Sequence, residues 1–229
     1  MRFLLQLLIL LLLPVFLALT NVRVLMTSSF ARWEYAKSDF PDPTLVPLER
    51  RQPIVDTTLA YVKGAGDESR IADLTFYDGR PVYNQREIRH LTDVRVLVRQ
   101  TSLLHVAAGL IILLGTAYLV WSGRGQSAAR AMASGSALTV AIIGAVGIIA
   151  AFAFRFFFVR FHRVFFAGET WMFPGTDTLI QVFPEKFWFD ASLLIVILTL
   201  VEAAAIGVLA LTWLGIRRRR AKHQPITVL

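Results

Sequence analysis

Four stretches of about 20 residues that are almost free of charge constrain this chain more than any other feature. They run over about 3–25, 102–121, 132–154 and 192–216. Twenty helical residues at 1.5 Å each cross a hydrocarbon core of roughly 30 Å. A segment in lipid must satisfy its own backbone hydrogen bonds, which favours helices. Apolar residues make up 55% of the chain and mean hydropathy is +0.57, too apolar for an ordinary soluble domain. The expected fold is an all-α membrane protein of four transmembrane helices forming a single polytopic domain. The first stretch has the charged start (Arg2) and leucine core of a signal peptide. Its apolar run is long for one, and no convincing small-x-small cleavage site follows, so an uncleaved helix is expected.

Charge location sets the expected orientation. The segment 26–100 holds eleven Lys/Arg and eleven Asp/Glu, the segment 155–190 holds four of each, and Arg23 and Glu202 cancel. The formal net charge of +8 therefore resides in Arg2, Arg124, Arg130, Arg217, Arg218, Arg219, Arg220 and Lys222. With four spans these eight share one side, which the positive-inside rule makes the cytoplasm. Both termini are then cytoplasmic, in the cell membrane, with a basic tail over 217–229. The Arg217–Arg220 run reads as a headgroup anchor rather than a nucleic-acid patch. Segments 26–100 and 155–190 face outward, the first long enough to form a small extracytoplasmic cap. The chain has no cysteine, so disulfides, thiol nucleophiles and thiolate metal sites are excluded.

Within the first outer segment a short helix is expected over 56–63, a short strand over 72–77 and a turn over 78–81. From Asn84 the pattern turns helical and runs into the second span. Asn84 with Glu87 imitates a capping box. Glu87, His90, Val94 and Leu97 share one helical face, and Asp93 lies one step from His90. The second outer segment is crowded with aromatics: residues 152–189 hold 14 of the chain's 27. An interfacial aromatic belt explains such a bias, but a belt does not require the His162, Asp177 and Glu185 that are interspersed.

His90, His105 and His162 are the histidines on or near the outer side, and His223 belongs to the tail. His105 lies one turn inside the second span, where the simpler reading is a neutral imidazole bonded to another helix. His162 stands among Phe and Arg, where desolvation and nearby cations favour the neutral, proton-accepting ring. The residue types alone leave two readings open, a proton acceptor or an interfacial structural histidine. No HExxH spacing supports a metal at His90 and His162, and no metal or other cofactor is expected. No GxSxG, Walker, glycine-rich or SxxK motif occurs.

The segment Phe161-His162-x-x-Phe165-Phe166-x-Gly168-x-x-Trp171-x-Phe173, followed by Asp177-x-Leu179-Ile180-x-x-Phe183-Pro184-x-x-Phe187-Trp188, resembles the signature of a four-span bacterial integral membrane family. That family includes the lipoprotein intramolecular transacylases. Glu87-x-x-His90-Leu91-x-Asp93-Val94-Arg95 is similar to its second block. The resemblance implies an acyltransferase of the bacterial cell envelope, acting on diacylglyceryl-modified lipoproteins within membrane lipid. It would move the acyl chain from the sn-2 glyceryl oxygen to the N-terminal cysteine amine, giving the lyso form. It also implies that His162 is the general base and His90 the acid for the leaving alkoxide, two histidines of opposite protonation state. Arg160, Arg163 or Trp171 would stabilise the oxyanion, Asp93 or Glu87 would orient His90, and Asp177 would orient His162 or receive the substrate ammonium. The alternative from another class is a non-enzymatic scaffold or assembly factor for exported proteins. A transporter fits least, since the spans hold only Arg23, His105 and Glu202 as ionisable groups.

Overall fold

The computed structural model describes residues 2–222, with side chains described through Arg219. Among the described residues the regular elements are helices: α1 (Arg2–Leu25), α2 (Ser28–Tyr35), α3 (Leu48–Val62), α4 (Ser69–Ala72), α5 (Gln85–Trp121), α6 (Gly125–Phe152), α7 (Phe154–Phe165), α8 (Thr178–Val182) and α9 (Glu185–Lys222). Among them, α1, α5, α6 and α9 are long and apolar enough to cross a bilayer. Most of their apolar side chains are not buried, and Leu103, Leu113, Ile148 and Leu209 are well exposed. A protein surface that apolar is stable in lipid. Helix α5 has 37 residues, about 55 Å at 1.5 Å each. Its first 16 residues carry Arg86, Arg89, Arg95 and Arg99, so only the apolar part from about 102 onward fits the hydrocarbon.

Three expectations about local structure change. The short helix expected over 56–63 is the end of α3, which starts eight residues earlier and carries Pro53 inside it. No strand forms over 72–77. An isolated antiparallel bridge joins Thr75 to Pro81 across the Asp78–Gly79 turn, made by the Phe76 N–H on the Arg80 carbonyl and the Val82 N–H on the Leu74 carbonyl, 2.8 Å each, a pattern that needs no N–H from Pro81. The third span stops at Phe152, and a further helix, α7, occupies the start of what reads as loop.

Two compact units divide the chain. One comprises the residues up to Asn21, Leu104–Val146 and those from Val196 on. Its core packs Ile9, Leu119, Ala128 and Ala131 in one cluster and Leu13, Leu17, Ile112 and Ala203 in another. Small residues allow the helices to approach closely, the usual device where lipid competes for apolar surface. A Cβ on Gly109 would lie 2.8 Å from the Phe16 ring, and one on Gly135 3.4 Å from the Leu10 backbone. Polar side chains add interhelical bonds. Buried Asn21 donates through Nδ2 to Thr199 Oγ1 (3.1 Å) and Glu202 Oε2 (2.9 Å). His105 Nε2 lies 2.9 Å from Thr20 Oγ1, and its ring stacks on Phe16. Thr20 gives its own proton to the Phe16 carbonyl, so its oxygen accepts from His105. His105 and Glu202 thus both bond to neighbouring helices.

The other unit comprises Val22–Leu103 and Gly147–Ile195. Its core gathers Phe30, Ile54, Val55, Tyr61, Ile71, Val82, Tyr83, Ile88, Leu91, Val182 and Phe187. Several polar groups caught in it find partners, as most buried polar groups do. The Tyr83 hydroxyl lies 2.6 Å from Thr58 Oγ1, and the buried Arg51 guanidinium stacks over Tyr35. Wholly buried Glu34 binds Lys37 (2.7 Å), which also binds Asp190 (2.9 Å) and so ties α2 to the first turns of α9.

Candidate active site

The second unit brings His90 of α5 and His162 of α7 together, with ring centroids 6.2 Å apart and planes inclined by 28°. Helix α5 is started by the expected capping box. The Asn84 side chain accepts from the Glu87 N–H (3.1 Å), and Glu87 Oε2 accepts from the Asn84 N–H (2.8 Å). The other Glu87 oxygen accepts from the Leu179 N–H at 2.8 Å, joining α5 to the start of α8. Burial raises the Glu87 pKa against these two backbone bonds. Glu87 therefore builds the helix that carries His90, and neither of its oxygens bonds the imidazole.

Helix α7 puts Phe154, Phe157, Phe158, Phe161, His162 and Phe165 on one face at i, i+3, i+4, i+7, i+8 and i+11. His162 Nδ1 lies 2.8 Å from the Phe158 carbonyl one turn earlier. A carbonyl only accepts, so Nδ1 carries the proton and Nε2 keeps a free lone pair. Aromatic rings wall the pair. Trp171 lies 4.8 Å and Phe166 5.6 Å from His162, while Phe166 lies 4.9 Å and Phe173 5.4 Å from His90. His90 Nδ1 is buried and has no hydrogen-bond partner among the described residues. An unpartnered buried polar atom costs about 1–3 kcal/mol, which a substrate group bonded there would offset.

Both histidines precede or follow the apolar spans, and burial lowers the pKa of each. His90 falls to about 4, through desolvation first and the nearby His162 second. His162 falls by desolvation, opposed by its bond to the Phe158 carbonyl. The expected pairing of one charged and one neutral imidazole gives way to two neutral rings at pH 7, because the aromatic enclosure disfavours either charge. A folded-state pKa below the unfolded value means that the unfolded chain takes up protons first. Stability is then lost as pH falls from about 6.5 through the folded value near 4. Histidine-selective nitrogen NMR in micelles is expected to show both rings neutral from pH 8 to pH 7, with His90 titrating near pH 4. An imidazolium signal from either ring at pH 7 would contradict this.

The other expected site residues lie differently. Asp93 is exposed and makes no bond to His90. Asp177 pairs with Arg86 (Oδ2 to Nη2, 2.8 Å) instead of meeting His162. The Arg160 guanidinium lies over Phe156, and Arg163 is exposed. Trp171 does lie against His162, its ring tilted by 32°, but its indole N–H already donates to the Gly168 carbonyl at 3.2 Å. Phe166 and Phe173, not singled out as site residues, complete the wall, and so does Arg86, whose guanidinium covers Phe173 at 5.4 Å. His223 lies outside the described residues. The grouping is two neutral imidazoles, one presenting a free basic nitrogen, in an apolar enclosure suited to moving a proton between groups of one bound molecule.

Fold and site together define a multi-pass α-helical membrane protein with a candidate proton-transfer site of two imidazoles. The chain belongs to the lipoprotein intramolecular transacylase (Lit) family, whose model matches residues 5–188. It is similar to an uncharacterized protein of Aquifex aeolicus, 26% identical over 207 residues covering 87% of this chain and 89% of the relative. Among solved structures it is similar to the membrane integral lipoprotein intramolecular transacylase Lit of Bacillus cereus. The two share 21% identity and a TM-score of 0.78, covering 96% of this chain and 98% of that one. A histidine-to-alanine variant of the Bacillus cereus protein matches with a TM-score of 0.71 at 20% identity, covering 96% of each chain.

Proposed function

We propose that the chain moves the sn-2 acyl chain of a diacylglyceryl-modified lipoprotein to the α-amine of the same molecule's N-terminal cysteine, leaving a lyso-form lipoprotein. The observation that carries this reading is the neutral histidine pair, with the free His162 Nε2 and the unpartnered His90 Nδ1 inside one aromatic wall. Amine and ester belong to one substrate, so proximity supplies much of the rate and no covalent enzyme intermediate is required. The amine nitrogen attacks the ester carbonyl, forming the amide C–N bond. His162 Nε2 takes the proton that the nitrogen sheds. The neutral His90 ring donates a hydrogen bond to the oxyanion, and the acyl–oxygen bond breaks. The proton held on His162 passes to the departing glyceryl oxygen, restoring both rings. His90 thus serves as a neutral donor, a role that its low pKa permits, whereas a standing imidazolium is disfavoured. Asp177 supports the enclosure by pairing with the Arg86 that covers Phe173, and Asp93, Arg160 and Arg163 are assigned no part in the shift.

In this reading both termini are cytoplasmic, and the histidine-bearing unit works at the outer face of the cell membrane, where the first outer segment caps it. The eight excess positive residues support that orientation. The test is mass spectrometry of lipoprotein N-termini from cells with and without the chain. Fragment ions placing one acyl chain on the cysteine amine, and none on the sn-2 oxygen, are expected only when the chain is present. Diacylglyceryl termini with a free amine in both samples would overturn the reading.

A further inference from the structure

Beside the histidine pair, in the same unit, lies an open cleft of about 450 Å³ lined by Gln85, Arg86 and Arg89 on one side and Glu169 and Thr170 on the other. Its walls continue directly into those of the histidine enclosure. Arg89 precedes His90, and Thr170 precedes Trp171, which lies against His162. Phe173 serves as the partition, since the Arg86 guanidinium covers it at 5.4 Å and the His90 ring meets it at 5.4 Å.

The chemistry of the lining is mixed. Asp177 already neutralises Arg86. That leaves Arg89 and Glu169, one charge of each sign and both exposed, with the Gln85 amide and the Thr170 hydroxyl also in the lining. A phosphate would be matched by donors alone. A polypeptide, which offers donors and acceptors in alternation, fits a wall that offers both.

We propose that this cleft receives the polypeptide that follows the lipidated cysteine, and that Arg89 and Glu169 set which residues are favoured there. The proposal rests on the acyl-shift reading above. An extended chain advances about 3.3 Å per residue, and Arg89 and Thr170 immediately precede the His90 and Trp171 that bound the pair, so the second to fourth substrate residues are assigned to the cleft. Charge reversal on one wall then biases the substrate's charge at those positions, and reversal on the other biases it oppositely.

The test uses the full-length chain in detergent with two diacylglyceryl lipopeptides of identical lipid, carrying Asp or Lys at the third and fourth positions. The readout is the ratio of their conversion rates. Arg89→Glu is expected to shift the ratio toward the Lys peptide by roughly threefold or more, and Glu169→Lys toward the Asp peptide by a similar factor, the scale of exposed ion pairs. Should either variant fail to fold, Arg89→Gln and Glu169→Gln are expected to give smaller shifts of the same signs. A ratio unmoved in every folded variant would overturn the proposal, as would a ratio that follows only the anionic lipid content of the micelles, which would assign the cleft to a phospholipid headgroup. Wild-type protein that converts neither peptide would instead overturn the acyl-shift reading, and this proposal with it.

Discussion

Replacing His162 by alanine is expected to slow the acyl shift by about 10²–10⁴-fold, the usual contribution of a positioned general base. The Nδ1 bond to the Phe158 carbonyl fixes the tautomer that leaves Nε2 basic, and among its ring neighbours Phe158, Phe161, Phe166, Trp171 and His90 only His90 offers another nitrogen lone pair, one that burial makes a poor base by lowering its pKa to about 4. His90→Ala removes a donor to the oxyanion and is expected to cost about 10²–10³-fold. Because the two rings act together on one tetrahedral intermediate, the double variant should be little worse than the poorer single variant. His162→Gln keeps a donor for the Phe158 carbonyl but loses the base, so it should fold like the parent and still be slow. Single-turnover conversion of a diacylglyceryl lipopeptide, read with thermal unfolding of each variant, checks all four. A His162→Ala protein within tenfold of the parent rate would contradict the assignment.

Glu87→Ala is expected to lower stability by roughly 2–6 kcal/mol, from the loss of acceptors for two backbone N–H groups at about 1–3 kcal/mol each. Those N–H groups belong to Asn84 and Leu179, and the carboxylate that takes them is buried to 1% exposure. Losing it frays the start of α5, where Arg86, Arg89 and His90 lie, and loosens α8 from it. Activity should fall with folding rather than ahead of it, because Glu87 makes no bond to either histidine. Glu87→Gln retains one acceptor oxygen and should lie between the two. Chemical unfolding in mild detergent checks the order, and an alanine variant as stable as the parent would show that the cap is dispensable.

The four spans are legible because a stretch of 20 uncharged apolar residues has few alternatives to a membrane helix. The start of α5 is legible for a similar reason, since Asn84 and Glu87 meet through the local chain. Helix α7 is harder to see. Its phenylalanines at 154, 157, 158, 161 and 165 carry a helical period, but Phe152, Phe156 and Phe166 fill the gaps and make the run resemble an unstructured aromatic belt. Pro53 conceals α3 in the same way, by suggesting a break where the helix continues. The supporting residues were least legible. Asp177 and Glu87 are carboxylates near the histidines in sequence, yet one answers to Arg86 and the other to the backbone of Leu179. Those partners, 91 and 92 residues away, follow from packing and not from spacing. The buried, unpartnered His90 nitrogen is likewise visible only in three dimensions. A scaffold would have no use for it, which favours the enzymatic reading over an assembly factor.

The most direct test of the account is a crossover measurement. Purified protein is given equal amounts of two lipopeptides, one with an isotopically heavy peptide and heavy sn-2 acyl chain, the other light in both. An intramolecular shift between groups held at His162 and His90 predicts products in which heavy peptide carries only heavy acyl chain and light only light. Scrambled products would show that the acyl chain leaves its parent molecule, and would contradict the account.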